Sequence, residues 1–176
     1  MNYFKKMLPG PRARKKRDIK GALWAALGVF VSIAALDWLL PQLGTDNHAF
    51  MLMGSLGASS ILMFTRPAVS AAQPRNIIGG HMISALCGVV AARLLPADPI
   101  TAAALAVSLA LVIMEVCDAK HPPGGSTALI AVLDYGSIAH LGFLYVLAPV
   151  GLGALLLVII GLMFNNMRGA YPAYWW

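Results

Sequence analysis

The chain has 176 residues, of which 59% are hydrophobic and only 11% charged, with a formal net charge of +6. A soluble domain of this size carries about 25% charged residues to cover its outside, so the composition excludes a soluble globular enzyme, a disordered chain and a disulfide scaffold. It points instead to a protein whose solvent is mostly lipid. The positive charge is local: Lys5, Lys6, Arg12, Arg14, Lys15, Lys16, Arg17 and Lys20 all precede the first long apolar run. Such a cluster reads as a cytoplasmic tail that sets orientation and attracts anionic headgroups. No aromatic residues or recognition module accompany it, so no nucleic-acid partner is expected.

A bilayer core about 30 Å thick needs roughly 20 helical residues, and six apolar segments are measured against that length. The first, 20–41, ends at Pro41 and is too long for a signal-peptide core. The second, 49–65, is rich in Gly, Ser and Met and stops before Pro67. The third, 77–95, leads into the turn Pro96-Ala97-Asp98-Pro99, and the fourth is 100–117. The fifth, 124–134, is short and opens with Pro122-Pro123-Gly124-Gly125; the sixth, 141–164, leads to Asn165, Asn166 and Arg168. The expected architecture is an all-α polytopic transmembrane bundle of about six segments with two short or broken helices. A tail covers 1–19, the membrane domain 20–165, and a short C-terminal tail 166–176.

If all six segments cross, Arg66, Arg75, Lys120 and Arg168 fall on the side of the basic N-terminus and only Arg93 lies opposite. The positive-inside rule then predicts both termini in the cytoplasm of a bacterial-type inner membrane. The rival is a four-span chain in which segments two and five re-enter, which would place Arg66, Arg75 and Lys120 outside. The segments also divide into threes with the short, Gly-rich member in the middle: GSLGASSIL at 54–62 and GGSTALIAV at 124–132. Three crossings per half give a 3+3 inverted repeat, the pattern of transporters that hold substrate near the midplane. Two coincidental small-residue packing faces are the alternative.

The densest constellation is His121, Pro122, Pro123, Gly124, Gly125, Ser126 and Thr127. Two prolines forbid continuation of the preceding helix, two glycines permit close backbone approach, and Ser126 or Thr127 is able to cap the helix that follows. A helix that starts inside the membrane offers unpaired amides and a partial positive charge, which suits an anion. A kink whose amides are met by neighbouring carbonyls is the plain reading. Ser55, Gly57, Ala58, Ser59 and Ser60 form either a second donor-rich helix start or a packing face. Arg75 and Asn76 follow Pro74, where a cation is disfavoured by the helix dipole, so Arg75 is expected to pair with Glu115 or Asp118, attract an anion or meet lipid phosphate. His81, five residues into segment three, is a buried hydrogen-bonded imidazole or a ligand.

Acids in apolar runs are costly, which makes Asp37, Glu115 and Asp118 candidates for proton or cation coupling, with a local ion pair to Lys120 as the plain alternative. His48 and His140 read as loop or interface residues. Cys87 and Cys117 lie in apolar runs without metal-ligand spacing and read as buried thiols. The four histidines are dispersed, so no metal centre is expected, and no cofactor motif is found. Ser126 and His121 are separated by two prolines, giving no reason to expect a reactive hydroxyl–imidazole pair, so the chain is not expected to be an enzyme.

Three motifs in order carry a family likeness. HPPGGSTAL at 121–129, GSLGASSILMF at 54–64 and QPRNIIGGHMISALCGV at 73–89 closely resemble the HPP family of integral membrane proteins, and the resemblance covers roughly residues 20–165. It places His121, Pro122, Pro123 and Gly124 in one shared core with Gly54, Ser55, Gly57, Ala58 and Ser59, and with Pro74, Arg75, Asn76, Gly80 and His81. Chloroplast and cyanobacterial members are known as nitrite transporters, and some relatives carry CBS regulatory domains. The resemblance therefore implies a transporter or channel for a small inorganic monovalent anion, nitrite first. Two opposed helix starts, at Ser55–Ser60 and Gly124–Thr127, are expected to hold it, with Arg75 and His81 adding positive potential. A short chain with two brief central helices also points to a homo-oligomer. The rival class is a non-transporting assembly or regulatory module.

Overall fold

The structure, a computed structural model, describes residues 18–45 and 49–175, and among them there is no strand. The basic tail before Asp18 and the loop histidine His48 lie outside the described residues. The helices are α1 (Ile19–Gln42), α2 (Ala49–Thr65), α3 (Pro74–Leu94), α4 (Pro99–Val116), α5 (Gly124–Leu133), α6 (Tyr135–Ile138) and α7 (Leu152–Asn165). A 3₁₀ turn spans Ser70–Ala72, and a π-helical turn, Val146–Gly151, leads into α7.

Local chemistry sets the boundaries. The Asp18 side chain accepts from the Gly21 amide at 2.9 Å and the Asp98 side chain from the Thr101 amide at 3.1 Å, so each caps the helix it precedes. Pro74 and Pro99 occupy first-turn positions, where a missing amide hydrogen costs nothing. Five of the six segments agree with the sequence reading to within a few residues. The sixth does not: the expected unbroken helix over 141–164 is interrupted at Ala148, whose backbone is extended (φ −140°, ψ 124°). The cause is Pro149, which lacks an amide donor and pushes the residue before it out of the helical region.

Five of the segments run along the length of the bundle, while α5 starts inside it, with Gly124 against Gly80 and Ser84 of α3. α1 and α2 lie antiparallel: Phe64, near the end of α2, covers Gly28, while Gly153 of α7 sees Leu40 of α1 together with Leu52 and Leu56 of α2. α3 and α5 run parallel, with Gly80 against His121 and Gly88 against Ala128 and Ala131. At one end, Trp24 stacks on Phe164 with ring centroids 4.4 Å apart and Arg75 Nη2 donates to the Cys117 carbonyl at 2.7 Å. At the other, Arg93 Nε donates to Tyr135 Oη at 2.9 Å. The four-span rival, which turns α2 and α5 back on themselves, does not describe this arrangement.

Four segments have span length: α1, α3, α4 and the unit Val146–Asn165. α5, with 10 residues, rises only about 15 Å, half a bilayer core. The chain covers the rest with irregular backbone, which a membrane protein tolerates where protein encloses it.

Packing separates two groups. One, α3 with α4 and α5, meets through Ala91, Ala92, Ala102, Ala103, Ala106 and Ala110, small residues that let backbones approach without a hydrophobic driving force. The other, α1 with α2 and α7, uses larger side chains such as Leu36, Leu40, Leu52, Leu56 and Leu157. Outward-facing apolar residues such as Phe30 (71% exposed) and Val116 (80%) give the bundle a surface suited to lipid.

Candidate functional site

The two groups meet at the most polar part of the interior. Ser55 and Ser59 come from α2, His81 from α3, His121 from the loop after α4, and Thr127 from α5; each of these side chains is 0% exposed. Ser55 and Ser59 share a face because they are one helical turn apart. His81 sits seven residues into α3, about 10 Å below its start. His121 reaches the same level because the chain between α4 and α5 dips into the bundle and is pinned on the way: Asn76 Nδ2 donates to the Lys120 carbonyl at 3.0 Å.

The contacts form one continuous chain. His121 Nδ1 lies 2.6 Å from the Ala71 carbonyl, and its Nε2 lies 2.7 Å from Ser59 Oγ. Ser59 Oγ is also 2.8 Å from His81 Nε2 and 3.0 Å from the Ser55 carbonyl one turn back in α2. His81 Nδ1 is 2.7 Å from Thr127 Oγ1, which is 3.0 Å from Ser55 Oγ, and Ser55 Oγ is 3.0 Å from the Leu52 carbonyl. The imidazole centroids are 4.9 Å apart. Since a carbonyl only accepts, His121 Nδ1 carries a hydrogen, and in the neutral ring Nε2 accepts from Ser59. Every polar side chain in the cluster is hydrogen-bonded, as burial in an apolar bundle demands.

The family comparison agrees with the motifs at the centre of this cluster: the model of the HPP transmembrane region matches residues 14–172. The chain belongs to the HPP family. Two transmembrane proteins of Dictyostelium discoideum are similar to it: one is 37% identical over 181 residues and the other 36% identical over 183. Each alignment covers all of this chain but only 58% and 64% of the respective relative, so the chain spans about three-fifths of their length. No solved structure matches.

The His-Pro-Pro triplet that names the family does two separate things here. His121 joins the buried cluster, while Pro122 is exposed and Pro123 half-buried, serving only to stop the incoming backbone and start α5. The expected free amides are not there. The Gly124, Gly125 and Ser126 amides donate to the His121, Pro122 and Pro123 carbonyls at 2.8, 3.0 and 3.1 Å, so the kink satisfies itself. Nor does Ser126 or Thr127 cap α5: no side-chain cap is present, Ser126 is exposed, and Thr127 is committed to the cluster. The second expected helix start is also corrected. α2 is unbroken from Ala49 to Thr65, so residues 55–60 sit in its interior, with their amides inside the helix, and Ser60 Oγ donates back to the Gly57 carbonyl at 2.7 Å. Side chains furnish the polar site where backbone ends were expected.

The remaining residues divide cleanly. Gly80 and Gly124 serve close helix packing: a methyl on Gly124 would meet Ser84 Oγ at 2.8 Å and the Gly80 carbonyl at 2.9 Å. Gly57 is half-buried and Ala58 exposed, both off the cluster, and Gly125 has room around it, its nearest neighbour being Val107 at 3.8 Å. Arg75 pairs with Asp118 at 3.6 Å, and Lys120 pairs with Glu115 at 3.0 Å. The hydrogen bond that Lys120 donates to the Glu115 carboxylate, with that carboxylate's charge, raises the Lys120 ammonium above its ordinary value. These four groups lie at the bundle's end, and Asp37 is exposed on α1. Cys87 is buried as expected, whereas Cys117 is exposed.

Sequence reasoning missed the pairing of Ser59 with two imidazoles, because the partners are 22 and 62 residues away. The available signal was the shared family core, which already put Ser59, His81 and His121 together. The sequence reading weighed only Ser126 with His121; Ser126 is exposed, and the hydroxyl that meets the imidazoles is that of Ser59. Among the described residues there is no group of three or more potential metal ligands.

Proposed function

We propose that the protein is a membrane transporter or channel for a small monovalent anion, with nitrite as the first substrate to test. The observation that carries this reading is the buried Ser55–Ser59–His81–His121–Thr127 cluster at the junction of two helix groups. Intramembrane ionisable residues are costly and mark solute pathways by default. The cluster offers hydroxyl and ring N–H donors with no fixed charge, which suits an anion that must also be released. The packing supports an inverted repeat: exchanging α1 with α4, α2 with α5 and α3 with α7 maps the group α1, α2, α7 onto α4, α5, α3, with the cluster between them.

Arg66, Arg75, Lys120 and Arg168 lie toward the end that holds the start of α1, and Arg93 toward the other, which supports cytoplasmic termini. The test is flux: purified protein in liposomes is expected to admit nitrite, and wild-type vesicles indistinguishable from empty ones across several anions and gradients would end the reading.

A non-transporting module is favoured by one observation, that each polar side chain of the cluster is hydrogen-bonded to another of its members or to a backbone carbonyl. A stoichiometric membrane partner on purification, with no flux by the protein alone, is its signature. The protein is also proposed not to be an enzyme, although Ser59 lies between imidazoles. No carboxylate orients either ring, and Ser59 is fully buried. Labelling of Ser59 by a fluorophosphonate would overturn that.

A further inference from the structure

The cluster's hydrogens do not add up in its neutral form. From the Ala71 carbonyl through His121, Ser59, His81, Thr127 and Ser55 to the Leu52 carbonyl there are six contacts, and Ser59 Oγ makes a seventh with the Ser55 carbonyl of its own helix at 3.0 Å, each needing one hydrogen. Both ends are carbonyl oxygens, which only accept. The five side chains between them, two neutral imidazoles and three hydroxyls, bring one hydrogen each. Against seven contacts the neutral cluster is two hydrogens short.

The shortfall has a place where it costs least. With His121 Nδ1 donating to Ala71, Ser59 donates to His121 Nε2, His81 Nε2 donates to Ser59, and Thr127 donates to His81 Nδ1. Ser55 is then left with one hydrogen for two contacts, and Ser59 with none for the Ser55 carbonyl. Those are the long ones, at 3.0 Å, while the four contacts made by the ring nitrogens are 2.6 to 2.8 Å. A single added proton fills all six contacts of the chain and leaves open only the seventh, whose acceptor, the Ser55 carbonyl, lies inside α2. On His81 it lets Nδ1 donate to Thr127, Thr127 to Ser55, and Ser55 to Leu52. On His121 the result is equally complete, with Ser59 donating to His81 Nε2 instead. The two forms interconvert when His81 Nε2 passes its hydrogen to Ser59 Oγ as Ser59 passes its own to His121 Nε2. No atom is gained or lost.

We propose that this cluster binds one exchangeable proton, shared by His81 and His121 through Ser59, and that a monovalent anion is carried together with it. The second half rests on the transport reading above. The physical link is charge. A protonated cluster places one positive charge in an apolar interior, which is expensive without a counter-charge. None is built in: α2 presents Ser55 and Ser59, α5 presents Thr127, and the 3₁₀ turn presents the Ala71 carbonyl. Ser84 of α3 is turned toward Met114 of α4. Among the described residues α1, α4 and α7 give neither imidazole a titratable partner, and Arg75, Asp118, Glu115 and Lys120 pair with one another at the bundle's end. An anion in the same interior likewise finds no fixed cation. Each therefore supplies the other's counter-charge, and the pair crosses as a neutral unit taken from water on one side and released on the other.

Two measurements on the full-length protein in liposomes test this independently. The first is ring-nitrogen magnetic resonance of histidine-labelled wild type, assigned with His48→Gln and His140→Gln variants. The expected result is uptake of a single proton reported by both His81 and His121 over one pH interval, with the charge confined to one ring in Ser59→Ala. Two rings that titrate separately, or that stay neutral while flux proceeds, overturn the shared proton. The second is nitrite flux under imposed gradients. A pH gradient of one unit, acid outside, is expected to drive roughly tenfold accumulation, one unit being about 1.4 kcal/mol, with no response to membrane voltage. Flux that follows voltage and ignores the pH gradient overturns the coupling. If no anion moves while the ring titration shows one shared proton, the transport reading falls and the proton site stands.

Discussion

The bundle has two proline breaks inside apolar sequence, and they differ in everything except the proline. At Pro122-Pro123 the interrupted backbone brings His121 into a chain of contacts reaching from the Ala71 carbonyl to the Leu52 carbonyl. At Ala148-Pro149 the interruption borders a cavity of about 220 Å³ lined by Gly44, Leu141, Leu144 and Leu147, together with Thr45, whose hydroxyl is buried without a hydrogen-bonding partner among the described residues. A broken helix by itself makes no site. What distinguishes the first break is that α2, α3 and α5 each direct a polar side chain at it, while the second faces aliphatic walls and one stranded hydroxyl.

The largest effects test whether the first break is held by close packing. A methyl on Gly88 would lie 2.7 Å from the Ala128 carbonyl oxygen, and one on Gly124 would lie 2.8 Å from Ser84 Oγ. Gly88→Val and Gly124→Val are expected to cost about 3 kcal/mol or more, read as the unfolding midpoint in mixed micelles, because backbone cannot yield as a side chain does. Gly125→Val, with 3.8 Å to its nearest neighbour, is expected to stay folded and close to wild type. Equal losses at Gly124 and Gly125 would show that α3 and α5 are not in contact at this level.

The next pair of variants sets the polar groups of the two breaks against each other. Thr127→Val leaves His81 Nδ1 and Ser55 Oγ short of a partner in a buried site, and a loss of about 2 kcal/mol is expected in the same assay. Thr45→Val removes a hydroxyl that has no partner among the described residues, so it should stabilise by about 1 kcal/mol. Opposite signs for the same chemical change sharpen the contrast between the breaks. A loss at Thr45 would mean that its hydroxyl serves a partner of its own.

Much of this was legible in the sequence. Segment lengths, the stops at Pro67 and Pro96, and the short helix after Pro123 follow from local chemistry: apolar run length against a bilayer, and proline's missing donor. The Ala148-Pro149 break was legible by the same rule, but a continuous apolar run hid it, since hydrophobicity has no period to disturb in a helix that faces apolar surroundings on every side. The site was legible as a set of residues and not as a mechanism. Ser59, His81 and His121 stand in the right motifs, yet the reading gave the work to backbone amides. Whether an amide at a helix start is free depends on the turn before it, and the carbonyls of residues 121–123 fold back to meet those of Gly124, Gly125 and Ser126. No single-residue propensity encodes that.

The smallest expected effect bears on where charge matters. Glu115 and Asp118 are the acids nearest the first break in sequence, and coupling through them is the natural rival to a proton held on the imidazoles. Their geometry argues against it. The Glu115 side chain is 62% exposed and that of Asp118 79%, and each meets its basic partner at the bundle's end, beyond reach of the cluster. Ion pairs in such exposure contribute little, because water already solvates both partners. The double variant Glu115→Gln/Asp118→Asn is therefore expected to leave the unfolding midpoint, the nitrite rate and its dependence on the pH gradient unchanged. If the rate survived while the pH dependence vanished, the coupling charge would belong to the carboxylates, and the buried imidazoles would be a structural junction between the two helix groups.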